Sequence, residues 1–158
     1  MKAEYINPFV TSAISTLKQF IPGMEVNRGK LAVSSAPSQS LGTATYIGIS
    51  GDLEGRVIYD MNRVTAVKIA SEMNGEKIPG LNELVRSTIQ ELGNIITGNA
   101  SAKLHKQLDG KHIDITPPSL IVGEDMEISD SISDKYLQVP LETNLGNIII
   151  NVNIKESS

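Results

Sequence analysis

The chain has 158 residues, 40% of them apolar, a net charge of −4 and no cysteine. Such a length buries one core, so a single domain over 1–158 is expected, and the missing thiols exclude disulfide scaffolds, thiolate metal sites and cysteine nucleophiles while fitting a reducing compartment. Scattered basic residues and a lack of tryptophan argue against nucleic-acid and base-stacking surfaces, and no apolar run exceeds Ile148-Ile149-Ile150, so a cytoplasmic protein that does not enter a membrane is expected.

Pro8 opens an apolar-periodic stretch, Phe9, Ala13, Ile14, Leu17 and Phe20, that stops at Pro22-Gly23 and predicts a first helix. A strand region around Val26, Leu31 and Val33 follows, then a polar loop over 34–40 and a strand from Thr43 to Ser50. Gly51-Asp52-Leu53-Glu54-Gly55 turns into Arg56-Val57-Ile58-Tyr59, which predicts a hairpin. A short helix is expected from about Arg63 to Met73 with Gly75 as its stop, and a long one from the N-cap Asn82 to about Leu108. The remainder is β in pattern: 113–115, 120–122, 136–141 and 147–154. The order is therefore α-β-β-β-α followed by α-β-β-β. The second hairpin, around Thr143-Asn144-Leu145-Gly146, echoes the first, and the shared order favours an internal duplication.

On the long helix, Ser87, Glu91, Asn94, Gly98, Ser101 and His105 fall on one side, within roughly 80° of Glu91 at about 100° per residue. Val85, Ile89, Leu92, Ile96 and Ala100 take the opposite side, suited to a core. Any amphipathic helix has a polar face, so Glu91 and Asn94 alone do not imply function. Asn94 is a mediocre helix former, however, and Gly98 costs on the order of 1 kcal/mol relative to alanine while leaving the backbone open to a large partner.

The pattern Ser87-x3-Glu91-x2-Asn94, with Pro117 at 23 positions beyond Asn94, resembles the signature of the CheC/CheX/FliY chemotaxis phosphatases, and the run Glu91-Leu92-Gly93-Asn94-Ile95-Ile96-Thr97-Gly98 is similar to the helix of that family. The resemblance implies a pseudo-symmetric α+β fold, a duplicated α-β-β-β arrangement whose mainly antiparallel sheet packs against long helices. It implies one active site per chain, as in CheX-like members, and a homodimer. In the first half Glu4-x2-Asn7 repeats the spacing, but Lys30 stands where proline would. Glu4 and Asn7 read as a lead-in and a helix cap, with a vestigial second site as the alternative.

The partner implied is a phosphorylated CheY-like response regulator, whose own active site supplies Mg²⁺, so this chain is expected to need no cofactor or metal of its own. Glu91 and Asn94 would be the catalytic pair, Asn94 orienting the attacking water and Glu91 contacting the regulator's lysine. Ser87 and Gly98 would line the docking stripe. Pro117 reads as structural, fixing the chain between two strands. His105 and His112 do not have zinc-ligand spacing, the acidic segment Glu124–Asp130 lacks the glycine of a calcium loop, and the sequon at Asn99 sits on a helix. The competing readings are a non-catalytic module that docks a regulator or a flagellar switch protein, and a structural homodimer whose polar stripe is merely solvated.

Overall fold

Helix α1 (Asn7–Phe20) follows a 3-10 turn at Ala3–Tyr5 and carries Pro8 in its first turn, where no N–H is needed. Helix α2 (Arg63–Asn74) starts on Asn62, whose side chain accepts from Thr65 N, and ends at Gly75 in the left-handed region. Helix α3 (Glu83–Gln107) is capped by Asn82, whose Oδ1 accepts from Val85 N at 3.0 Å. The computed structural model describes residues 2–129 and 135–158.

Ten strands accompany these helices among the described residues: β1 (Val26–Arg28), β2 (Ala32–Ser34), β3 (Ser38–Gln39), β4 (Thr43–Gly51), β5 (Leu53–Met61), β6 (Ile113–Ile115), β7 (Ser119–Val122), β8 (Glu127–Ile128), β9 (Tyr136–Thr143) and β10 (Gly146–Glu156). The main sheet runs β1-β9-β10-β5-β4-β6, with β2 also on β9 and β7 also on β4, and its pairings are antiparallel. Alternation sorts each long strand. Val57, Tyr59, Met61, Ile148, Ile150, Val152 and Ile154 join α1 and α3 in the main core. Residues of opposite parity point to the other face, where the β3–β8 ribbon packs Ile128 against Ala44 and Ile58. That face also buries Arg56, which donates through Nη1 to Asn151 O at 3.0 Å, and Asp60, which accepts from Ser40 Oγ at 2.8 Å and Leu41 N at 2.9 Å.

The two halves correspond. A shift of 87 positions carries α1 onto 94–107 of α3, β1 onto β6, and β2 onto 119–121 of β7. Each half is a helix followed by five strands, and each lends two of its short strands, β1 and β2 or β6 and β7, to the edge of the other half's hairpin. The expected α-β-β-β order is thus correct in outline but short of strands. The region read as one strand around 26–33 is split at Gly29, which packs on Pro140 so tightly that a Cβ would lie 2.5 Å from its Cγ. The loop read over 34–40 contains β3, and the acidic segment read as a solvated loop contains β8, whereas Asp130 at its end lies outside the described residues. Two-residue strands carry no period to read; only their pairing across the molecule defines them.

Candidate active site

The rotation of α3 about its axis is set from below. Burial pushes the Tyr59 phenol well above its ordinary range, so it stays protonated. Its oxygen lies 2.7 Å from Thr97 Oγ1, which itself donates to Gly93 O at 2.7 Å. Thr97 has spent its proton on Gly93, so Tyr59 is the donor. At Gly93 a Cβ would stand 3.0 Å from Thr45 Cγ2, so α3 approaches the sheet as closely as it does only because this residue has no side chain. With Leu92, Gly93, Ile96 and Thr97 buried, Glu91 and Asn94 are turned outward.

Glu91 is exposed and Asn94 half-buried, and neither makes a hydrogen bond or ion pair among the described residues. At three residues apart on one helix their Cβ atoms are roughly 5–6 Å apart. A carboxylate and a carboxamide, both unengaged, thus project side by side. Ser87, exposed one turn earlier, donates to Leu84 O at 3.1 Å. Gly98 lies half-buried on the same stripe, and a Cβ there would meet nothing within 4 Å. Its bare surface is open space in this chain.

The stripe is less polar than its sequence pattern implies. Leu84, 37% exposed, Ile95, half-buried, and Ala102, exposed, lie within about 40° of Glu91 on the helical wheel. Helical periodicity picks out the polar members and not these apolar ones, because a single outward apolar residue is ordinary on a protein surface. His105 Nδ1 is 2.8 Å from Lys111 O and His112 Nε2 is 2.9 Å from Asp114 Oδ2, so the two rings serve separate local contacts.

Pro117 lies exposed in the turn between β6 and β7. There Thr116 holds both flanks: its Oγ1 accepts from Gly48 N at 2.8 Å and donates to Pro117 O at 3.2 Å, and its N donates to Gly48 O at 3.0 Å. In the first half, the cap expected at Asn7 is not found. Ile6 occupies the cap position, Asn7 is the first helical residue, and its Oδ1 accepts from Arg28 Nη2 at 3.1 Å instead. The 3-10 turn before it displaces the helix start by one residue from where an asparagine cap would have put it.

The model of the family described as chemotaxis phosphatase CheX matches residues 43–142, a span containing Ser87, Glu91, Asn94, Gly98 and Pro117. The chain belongs to the CheX family. It is 37% identical over 129 residues, 81% of each chain, to the CheY-P phosphatase CheX of Thermotoga maritima. Its fold matches a chain of the CheX-CheY-BeF3-Mg²⁺ complex from Borrelia burgdorferi with a TM-score of 0.82 and 35% identity, over 98% of this chain and 100% of that one. The chemotaxis protein CheX from Vibrio vulnificus matches with a TM-score of 0.86 and 25% identity, over 97% and 100%. Membership of the CheX family accords with the pseudo-symmetric α+β architecture described above, and no helix among the described residues is long and apolar enough to cross a membrane.

Proposed function

We propose that this CheX-family chain removes the aspartyl phosphate from a phosphorylated CheY-like response regulator by inserting Glu91 and Asn94 into its active site. The observation that carries this reading is the pair itself: a carboxylate and a carboxamide without partners among the described residues, held outward by a helix whose rotation Tyr59, Thr97 and Gly93 fix. The T. maritima relative is named a CheY-P phosphatase, and the B. burgdorferi complex joins CheX to CheY with BeF3 and Mg²⁺.

The chemistry asks little of this chain. The regulator holds its own acidic pocket and Mg²⁺, which neutralises charge on the transferred phosphoryl group. What is missing is a water held in line with the scissile bond. The Asn94 amide can donate to that water through Nδ2 and accept from it through Oδ1, so it fixes both position and orientation without titrating. Glu91 makes a charge-assisted contact with the regulator's lysine, which docks the helix and sets how far Asn94 reaches. Ser87 and Gly98 line the contact, and the missing side chain at Gly98 lets the regulator come close to the helix backbone. Pro117 and Thr116 hold the β6–β7 turn. The chain works in the cytoplasm as a homodimer, a state that sedimentation tests directly.

The decay of a phosphorylated regulator, followed with and without this protein, is the deciding measurement. Asn94→Ala is expected to lower turnover by about 100-fold or more at unchanged fold, because water positioning is lost. Glu91→Ala is expected to raise the half-saturating regulator concentration as well, by about 10- to 100-fold for a lost charge-assisted bond. Wild-type turnover in both variants overturns the site. A wild-type chain that binds the regulator without speeding decay would instead establish the docking-module reading.

A further inference from the structure

Between α2 and the segment that leads into α3 lies an open groove of about 700 Å³. Arg63, Val64, Val67 and Lys68 of α2 line one wall, residues 77–81 line the other, and Leu145 joins them from the β9–β10 turn. Hydrogen bonds fix both walls. Ser71 Oγ donates to Val67 O at 2.7 Å and accepts from Ile78 N at 3.1 Å, and Asn74 Nδ2 donates to Thr88 Oγ1 at 3.0 Å, which ties α2 to α3. At Gly146 a Cβ would lie 1.9 Å from Thr65 Oγ1, so the β9–β10 turn sits directly on α2 and carries Leu145 with it. The groove therefore keeps its shape with nothing bound, and an occupant meets a preformed site.

The lining combines apolar surface with unpaired cations. Val67, Leu81 and Leu145 are half-buried, and Val64, 61% exposed, is the most exposed large apolar side chain among the described residues. Arg63, Lys68 and Lys77 are exposed, and their side chains make no hydrogen bond or ion pair among the described residues. Among those residues Glu72 is the one acid that lines the groove, in a chain whose net charge is −4. Beyond Arg63 and Val64 the surface turns acidic at Glu124 and Asp125, so the uncompensated positive charge belongs chiefly to Lys68 and Lys77.

We infer that this groove binds an acidic amphipathic helix of a partner protein. Arg63 and Lys68 are about 7.5 Å apart along α2 and Lys77 stands on the opposite wall, so the charges are spread along the groove rather than converging on one point, as a single carboxylate or phosphate needs. A helix with several carboxylates beside a leucine stripe meets all three cations and buries its apolar face on Val64, Val67 and Leu81. The wall from Arg63 to Glu72 spans about 14 Å, two to three turns of such a helix. No aromatic side chain among the described residues lines the groove, which removes the stacking that a single-stranded nucleic acid uses, and a concave surface does not lie flat on a bilayer. The acidic segment of a second copy is already engaged, since Ile128 packs on Ala44 and Ile58 and Glu127 pairs with Gln39. Ser87, Glu91, Asn94 and Gly98 do not line the groove, so the inference stands apart from the phosphatase reading.

The probe is a fluorescein-labelled peptide of about 16 residues, with leucine at helical i, i+3, i+4 and i+7 spacing and glutamate on both flanks, titrated with the full chain by fluorescence anisotropy. Saturation with a Kd of about 100 μM or tighter is expected, weakening as salt is added. A peptide of the same composition with scrambled spacing, and one with lysine for each glutamate, should each bind at least about 10-fold more weakly. Lys68→Glu/Lys77→Glu and Val64→Asp, all at exposed positions and with folds checked by far-UV circular dichroism, should each weaken binding about 10-fold or more. No saturation up to about 1 mM, equal binding of the control peptides, or unchanged binding by the variants overturns the inference. Saturable uptake of dodecanoate without peptide binding also overturns it, by making the groove a small-molecule site. A sedimenting dimer that Lys68→Glu/Lys77→Glu splits does the same, by making it a contact between copies.

Discussion

Two glycines of α3, five residues apart, make opposite demands. Gly98 faces open space, so Gly98→Ala adds helix propensity without a clash and is expected to stabilise the chain by about 1 kcal/mol. If docking needs bare backbone there, the same change raises the half-saturating regulator concentration, and thermal melts run beside decay assays would show the two effects moving in opposite directions. Gly93 faces Thr45 and Tyr59, and Gly93→Ala is expected to destabilise by about 1–3 kcal/mol through overpacking. The helical wheel places Gly98 outward and Gly93 on the core side, but the wheel alone does not say that Gly93 meets Thr45. The outward placement of the candidate pair Glu91 and Asn94 was legible from spacing; Leu84, Ile95 and Ala102 beside it were not, because a leucine on an outward stripe reads as noise until its exposure is known.

The cap of α3 and the stop of α2 were legible in detail, whereas the start of α1 was not. Asn82 caps α3 and Gly75 closes α2 as their residue types require, since these are local interactions within a few residues of chain. Strand placement was legible only for the long hairpins. At Gly55 the central strands approach so closely that a Cβ would lie 1.9 Å from Asn153 O, and its φ of 149° disfavours any side chain. Gly55→Ala is therefore expected to cost roughly 3 kcal/mol or more, measured as a drop in the denaturant midpoint. That demand comes from β10, nearly a hundred residues away along the chain, and nothing near Gly55 announces it.

At the scale of the whole fold, one acid among the described residues, Asp60, is buried on the far side of the sheet. Burial raises the Asp60 carboxyl, and hydrogen bonds from Leu41 N and Ser40 Oγ oppose the shift without cancelling it. A carboxyl raised on folding binds more proton in the folded than in the unfolded chain, so stability falls as pH rises. This contribution is full below the unfolded value of about 3.9 and is lost as pH rises through the raised folded value. The melting temperature of Asp60→Asn minus that of wild type is expected to increase with pH across that window. A flat difference would show that Asp60 is not raised.

Sequence alone determined what local spacing can encode: three helices, two hairpins, the duplicated order and the candidate pair Glu91 and Asn94, because periodicity and capping act within a few turns of chain. Tertiary structure decided the rest. It split β1 from β2 against Pro140, paired β3 with β8, moved the start of α1 past Ile6, and exchanged the short edge strands between halves. Each of those depends on contacts between residues far apart in sequence, whose free energy exists only once both partners are in place.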